Sequence, residues 1–164
     1  MFRSDKQAWW GQDGMFPLLA EHGIIGLSID MRGHGESRLG PGGEDLWKRV
    51  VDRDPELFGA MWKDAAAAVK WLREERGVKG EIGLLGASVG CSVAIDTARR
   101  DESLRDVVVM TPGLEYLGVD TLAHLEGWGE RELLILTSEE EAAASREIAR
   151  VLESQRGARE TESG

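Results

Sequence analysis

Apolar residues recur loosely at helical spacing between positions 6 and 22, at Trp9, Trp10, Phe16, Leu18 and Leu19, with an interruption around residues 11–14. The spacing predicts a helix over about 12–22, ended by Gly23. Ile24-Ile25-Gly26-Leu27-Ser28-Ile29 is a short apolar run rich in β-branched residues, which reads as a strand buried on both faces of a parallel sheet. Residues 30–43, dense in glycine and charge, read as loop. Asp54-Pro55 then opens a helix whose apolar face is Leu57, Met61, Ala65, Ala68, Val69 and Leu72, running to Arg76-Gly77. A second strand is expected at 81–85 and a helix after it to Arg100. A third strand at 106–110 ends at Thr111-Pro112-Gly113, and a fourth lies at 133–136. A helix at 140–154 carries Ile148, Val151 and Leu152, and the tail 157–164, without apolar content, should fray.

Strands and helices therefore alternate, which predicts an α/β fold: a parallel sheet with helices on both faces. The length of 164 residues suits one domain, placed at 1–156. No internal repeat is visible.

Charge narrows the partners. Lys and Arg number 20 against 30 Asp and Glu, a formal net charge of −10, which disfavours phosphate backbones and anionic lipid, so neither nucleic acid nor membrane is an expected partner. The single cysteine, Cys91, cannot form an internal disulfide and reads as a small buried residue. No apolar stretch approaches the ~18 residues that span a bilayer, and the first residues lack the apolar core of a signal peptide. A cytoplasmic setting is the resulting expectation.

The candidate chemistry is concentrated in Gly86-Ala87-Ser88-Val89-Gly90, which leaves the apolar run ending at Leu85 and enters a helix beginning near Val89. A serine on so sharp a strand-to-helix turn exposes its hydroxyl beside backbone N–H groups, and the close approach of the flanking backbones excludes bulk two positions before and after it. The helix N-terminus would turn free N–H donors and the positive end of its dipole toward an anion forming at Ser88. A glycine-rich connection without catalytic role is the alternative reading of the same five residues.

The run Asp30-Met31-Arg32-Gly33-His34-Gly35-Glu36-Ser37 matches a second pattern, D-x-R-G-x-G-x-S. With both motifs in this order, separated by a helix and a strand, nearly the whole chain resembles the α/β-hydrolase superfamily. The resemblance implies a serine hydrolase of esterase type acting on a small-molecule acyl substrate, with no cofactor or metal. Ser88 matches the nucleophile, the Val89 backbone N–H one oxyanion donor, and Gly86 and Gly90 the elbow glycines. The Phe2 backbone N–H is the expected second donor. The acid falls within Thr137-Ser138-Glu139-Glu140-Glu141, with Glu141 aligned best and Glu140 next, where the ordinary alternative is a solvated helix start with carboxylates at the favourable end of the dipole.

Two parts of the pattern are missing. The catalytic histidine should follow the acid, whereas His22, His34 and His124 all precede Glu139. His34 reads as a structural histidine, and His22 as a helix terminus. The strand that the family places between residues 24–29 and the elbow strand is absent too. This leads us to expect an internal piece of a longer protein, with unpaired strand edges that favour self-association. The six tryptophans either line an acyl pocket or pack in the core. Two other classes compete: a non-catalytic domain binding a ligand or partner at the same crevice, and a nucleotide-binding domain, against which stand the missing G-x-G-x-x-G and P-loop lysine.

Overall fold

The computed structural model describes residues 5–7 and 14–162, with side chains through residue 155. In chain order the elements are α1 (Met15–Glu21), α2 (Trp47–Val51), α3 (Pro55–Gly59), α4 (Trp62–Glu74), β1 (Leu84–Ala87), α5 (Val89–Arg100), β2 (Asp106–Met110), β3 (Glu115–Tyr116), β4 (Val119–Asp120), α6 (Thr121–Leu125), β5 (Glu132–Leu136) and α7 (Ala142–Glu162). β1, β2 and β5 form a parallel sheet in that order, with Leu84 opposite Val107 and Val107 opposite Leu133. β3 and β4 form a separate antiparallel hairpin. The fold is thus mixed α/β with a three-stranded parallel sheet.

Strand alternation sorts the sheet's side chains. Leu84, Val107, Val109, Leu133 and Ile135 point to one face and pack with Val69 of α4, Ile95 and Ala98 of α5, Leu125 of α6 and Ile148 of α7. A second cluster joins α2, α3 and the start of α4 to the first turns of α5, through Val50, Phe58, Met61, Val89 and Val93. Both clusters rest on α5, of which Val89 and Cys91 through Ala98 are buried.

Three expectations need correction. Residues 24–29 form no strand: Ile24 N–H donates to Leu19 O at 2.9 Å, no ladder follows, and Ile25 is 82 % exposed. An apolar run becomes a strand only where a neighbour completes its hydrogen bonds, and none of the described residues does so. The helices of the two clusters do not sandwich the sheet. The face carrying Leu85, Val108, Met110, Leu134 and Leu136 packs in neither cluster. The helix opened by Asp54 is two helices. Asp54 caps α3 by accepting from the Glu56 and Leu57 N–H groups, but α3 ends at Gly59 and the chain restarts at α4. The backbone of α7 is helical to Glu162, and Ala158, Arg159 and Glu160 in that stretch are good helix formers.

The other predicted elements appear with shifted ends. α1 stops where Gly23, at φ +71°, takes the left-handed conformation, and β1 runs two residues further than expected, into the elbow itself.

Candidate functional site

Ser88 stands between β1 and α5 with φ 54° and ψ −125°. A positive φ at a non-glycine residue is uncommon and costs on the order of 1–3 kcal/mol, so it persists only where the surroundings over-determine it. Here they do. Ser88 N–H donates to Met110 O at 3.1 Å, holding the turn against the end of β2, and Ser88 O accepts from Cys91 N–H at 2.9 Å, winding the first turn of α5. The side chain is half-buried.

The two elbow glycines turn out to have different roles. A Cβ on Gly86 would overlap Gly90 O and lie 2.8 Å from Cys91 N, so only glycine fits there. A Cβ on Gly90 would meet nothing within 4 Å, and neither glycine takes a positive φ. The unusual dihedral falls on the serine.

Val89 is the first residue of α5, so its N–H has no carbonyl one turn back to receive it. Its side chain is buried with Val93. Cys91, next along, is fully buried, its Sγ 3.3 Å from Gly86 O and 3.1 Å from Met110 O. Burial pushes its thiol up to about 11, which removes it as a nucleophile near neutral pH.

Because the sheet is parallel, the C-terminal ends of all three strands share one edge with Ser88. Thr111, just past β2, donates its N–H to Leu136 O at 2.8 Å and also has a positive φ of 54°. Glu139, Glu140 and Glu141 follow β5 on this edge, all exposed. Glu141 N–H donates to Ser138 O at 3.3 Å in the turn before α7. Among the described residues no hydrogen bond or ion pair joins Glu141 or Glu140 to Ser88 or to a histidine. Phe2 lies outside the described residues.

The loop at 30–37 also packs near the elbow, since Met31 joins the cluster that holds Val89. Asp30 organises it, accepting from the backbone N–H groups of Lys6 at 2.7 Å and Glu36 at 2.9 Å, with Lys6 Nζ 3.4 Å away. Burial pushes the Asp30 carboxyl up, but these donors together outweigh it and hold it below the ordinary carboxylate value. Arg32 forks onto Asp64 of α4 at 2.7–3.2 Å. A Cβ on Gly33, at φ +79°, would meet Val50 Cγ2 at 2.6 Å.

The histidines are occupied elsewhere. His34 is buried, its Nδ1 3.1 Å from Arg32 O and its ring edge-on to Trp47 and Phe58. His22 Nδ1 lies 2.9 Å from Leu18 O at the end of α1. His124 of α6 sits 3.3 Å from the buried Asp96 of α5, which also accepts from Arg100 Nε at 2.7 Å. That guanidinium lies 4.2 Å over the Trp62 ring. One turn earlier Ser92 Oγ and Thr121 Oγ1 are 2.8 Å apart and buried. Sequence reasoning missed this polar seam between α5 and α6, although Ser92 and Asp96, four apart on an otherwise apolar helix face, are its signal. It missed Thr111 as well, and nothing in Thr-Pro-Gly announces a left-handed threonine.

The geometry defines a class: an α/β protein presenting a strained serine at the N-terminus of a helix, on the C-terminal edge of a parallel sheet. No family model matches the chain, and neither a curated protein nor a solved structure does.

Among the described residues no helix is long and apolar enough to cross a membrane.

Proposed function

We propose that the chain is of serine hydrolase lineage with the α/β-hydrolase arrangement, and that Ser88 is its nucleophile toward carboxylic esters or related acyl groups. The observation that carries this reading is the backbone of Ser88, with φ 54° and ψ −125° between β1 and α5, over a Gly86 that no other residue can replace. A residue held in so unfavourable a conformation at the mouth of a helix dipole is the arrangement that chemistry at an acyl carbon uses.

In the proposed reaction Ser88 Oγ attacks the carbonyl carbon and the carbonyl π pair moves to oxygen. The Val89 N–H, with Phe2 N–H as the second donor, receives that oxyanion. The tetrahedral adduct collapses, the alkoxide leaves and takes up a proton, and water hydrolyses the acyl-enzyme. The acid is proposed in the turn after β5, at Glu141 first and Glu140 next.

Among the described residues no hydrogen bond joins a histidine to Ser88, and in the proposed reaction of this chain the serine proton passes to solvent. Loss of the base typically costs on the order of 10⁴ or more in rate, and a slow enzyme is expected. A fluorophosphonate probe, whose fluoride Ser88 Oγ would displace, should label the chain slowly and at Ser88 alone, with no labelling of Ser88→Ala. Folded protein that resists the probe would end the nucleophile assignment.

The missing imidazole favours a second reading, a domain that binds acyl-like ligands at the elbow without turning them over. Labelling at Ser88 with p-nitrophenyl ester hydrolysis no faster than Ser88→Ala would select it.

A further inference from the structure

Thr111 repeats, on the neighbouring strand, the anomaly of Ser88. It leaves β2 at φ 54°, a genuine outlier for a β-branched side chain. It does so directly before Pro112, a position whose sterics push the backbone to a negative, extended φ. Glycine would take the same turn without strain. Sheet register sets the two residues side by side: Ala87 pairs with Met110, so Ser88 and Thr111 are the next step along neighbouring strands, about 4.8 Å apart.

Backbone groups on both sides of this turn are engaged in holding it. Met110 O, in the peptide that leads into Thr111, accepts from Ser88 N–H at 3.1 Å and lies 3.1 Å from Cys91 Sγ. Thr111 N–H donates to Leu136 O at 2.8 Å. The nucleophile candidate and Thr111 are therefore fixed relative to each other. The threonine side chain takes no part in this frame: Thr111 is exposed, and its hydroxyl makes no hydrogen bond among the described residues. Strain imposed on a residue whose polar group serves no bond of the fold is the mark of a group placed for a ligand.

Resting on the reading of Ser88 as a nucleophile, we propose that Thr111 is a specificity residue of the same site, its hydroxyl donating a hydrogen bond to an oxygen on the carbon beside the reacting carbonyl. The substrates are then esters of α-oxygenated acyl groups, 2-hydroxy or 2-alkoxy. In that reading the carbonyl oxygen is taken by the Val89 N–H at the start of α5, on the helix side of Ser88, while Thr111 stands on the β2 side. What a hydroxyl one strand away can reach is an atom a bond or two from the carbon that Ser88 Oγ attacks. A site that hydrogen-bonds a substrate oxygen disfavours the analogue lacking it, because the covered hydroxyl is then left without a partner.

The test labels the full chain with two fluorophosphonates that differ by an oxygen in place of a methylene, a methoxymethyl and a propyl substituent on phosphorus. With each, Ser88 Oγ bonds to phosphorus, fluoride leaves and the serine proton passes to solvent. The ratio of labelling rates, methoxymethyl over propyl, should fall about five- to tenfold in Thr111→Val, which keeps the branched shape and loses the hydroxyl. Thr111→Ser, which keeps the hydroxyl, should keep the ratio. The intrinsic reactivities of the two probes cancel when the ratio is compared between variants. Thr111→Ala carries the same expectation as Thr111→Val if the latter does not fold. Equal slowing of both probes by Thr111→Val, or a ratio that Thr111→Ser loses as fully, overturns the proposal. Labelling at Ser88 with an unchanged ratio strikes Thr111 alone, whereas folded protein that neither probe labels at Ser88 ends the nucleophile reading and this one with it.

Discussion

β1 and residues 24–29 are both short apolar runs with a glycine inside, yet one is a strand and the other is not. β1 lies against β2, which is held in turn by β5, and its Leu84 and Gly86 face a core that α5 closes. The 24–29 run has α1 at one end and the Asp30 loop at the other, with no strand beside it among the described residues. Residues 5–7 reach it only at its end, where Ser28 Oγ donates to Lys6 O at 3.0 Å. The difference lies in the neighbours and not in the residues. A strand is a relation between two segments, and apolar content supplies only one side of it.

The strongest way to break this comparison is to burden each run's glycine with a methyl group. At Gly86 the methyl would collide with the backbone of Gly90 and Cys91, which cannot withdraw without unwinding the first turn of α5. Gly86→Ala should cost about 3 kcal/mol or more. At Gly26 it would meet the Phe16 ring at 2.7 Å and Leu19 Cδ1 at 3.2 Å, both ends of side chains that can swing aside. Gly26→Ala should shift stability by about 0.5–1 kcal/mol at most. Urea midpoints measure both, and equal losses would mean that the 24–29 run is as firmly built in as β1.

Side-chain truncation gives the next largest contrast. Ile95 of α5 is fully buried and Ile25 is 82 % exposed. Ile95→Ala should cost about 2–5 kcal/mol through lost burial and the cavity left behind, and Ile25→Ala no more than about 0.5 kcal/mol. A loss above about 1 kcal/mol at Ile25 would show that the run is covered in solution.

How much was legible follows from the same physics. The elbow could be read because its constraints are local: strand, tight turn, helix, and a glycine where backbones touch. β2 and β5 could be read as apolar runs that do find partners, and the α4 face through its helical period, with Met61, Ala65 and Val69 all buried. The β3–β4 hairpin escaped because each strand has two residues and no alternation to detect, and its turn places Leu117, not the expected asparagine, at φ 54° ahead of Gly118. α2 and α6, of five residues each, are too short for a period to appear, though Asp120, accepting from Ala123 N–H at 3.0 Å, is a cap signal that was available. The open sheet face was beyond reach, since sequence marks Leu134 as apolar without saying what lies above it. The three consecutive glutamates remain alike in the structure as they were in the sequence, each exposed beyond β5.

The strain at Ser88 sharpens the comparison from the functional side. If the elbow stores energy for chemistry, Ser88→Gly should raise stability by about 1 kcal/mol while abolishing probe labelling. Serines in ordinary backbone offer no such gain, because glycine there only adds freedom to the unfolded chain. A thermal midpoint that falls in Ser88→Gly would mean that the turn is not strained.

The smallest expected effect is one of pH, and it again separates the two regions. His124 belongs to the α5 side of the molecule. Burial lowers its pKa below the ordinary 6.5, with Arg100 and Arg99 adding to the effect and Asp96 opposing it. The folded state therefore holds this imidazole neutral while the unfolded chain takes up a proton, so the contribution is complete above about 6.5 and is lost as pH falls toward the folded value. Asp30, which anchors the end of the 24–29 run, is lowered from 3.8. Its contribution is complete above that value and disappears only in stronger acid. Urea unfolding between about pH 7.5 and 5 should thus show a shallow loss of stability that His124→Gln flattens and Asp30→Asn leaves in place. Below about pH 4 the roles should exchange, with the remaining slope reduced by Asp30→Asn. If His124→Gln left the upper slope untouched, the imidazole would be titrating in the fold as it does in water, and the seam between α5 and α6 would be open to solvent.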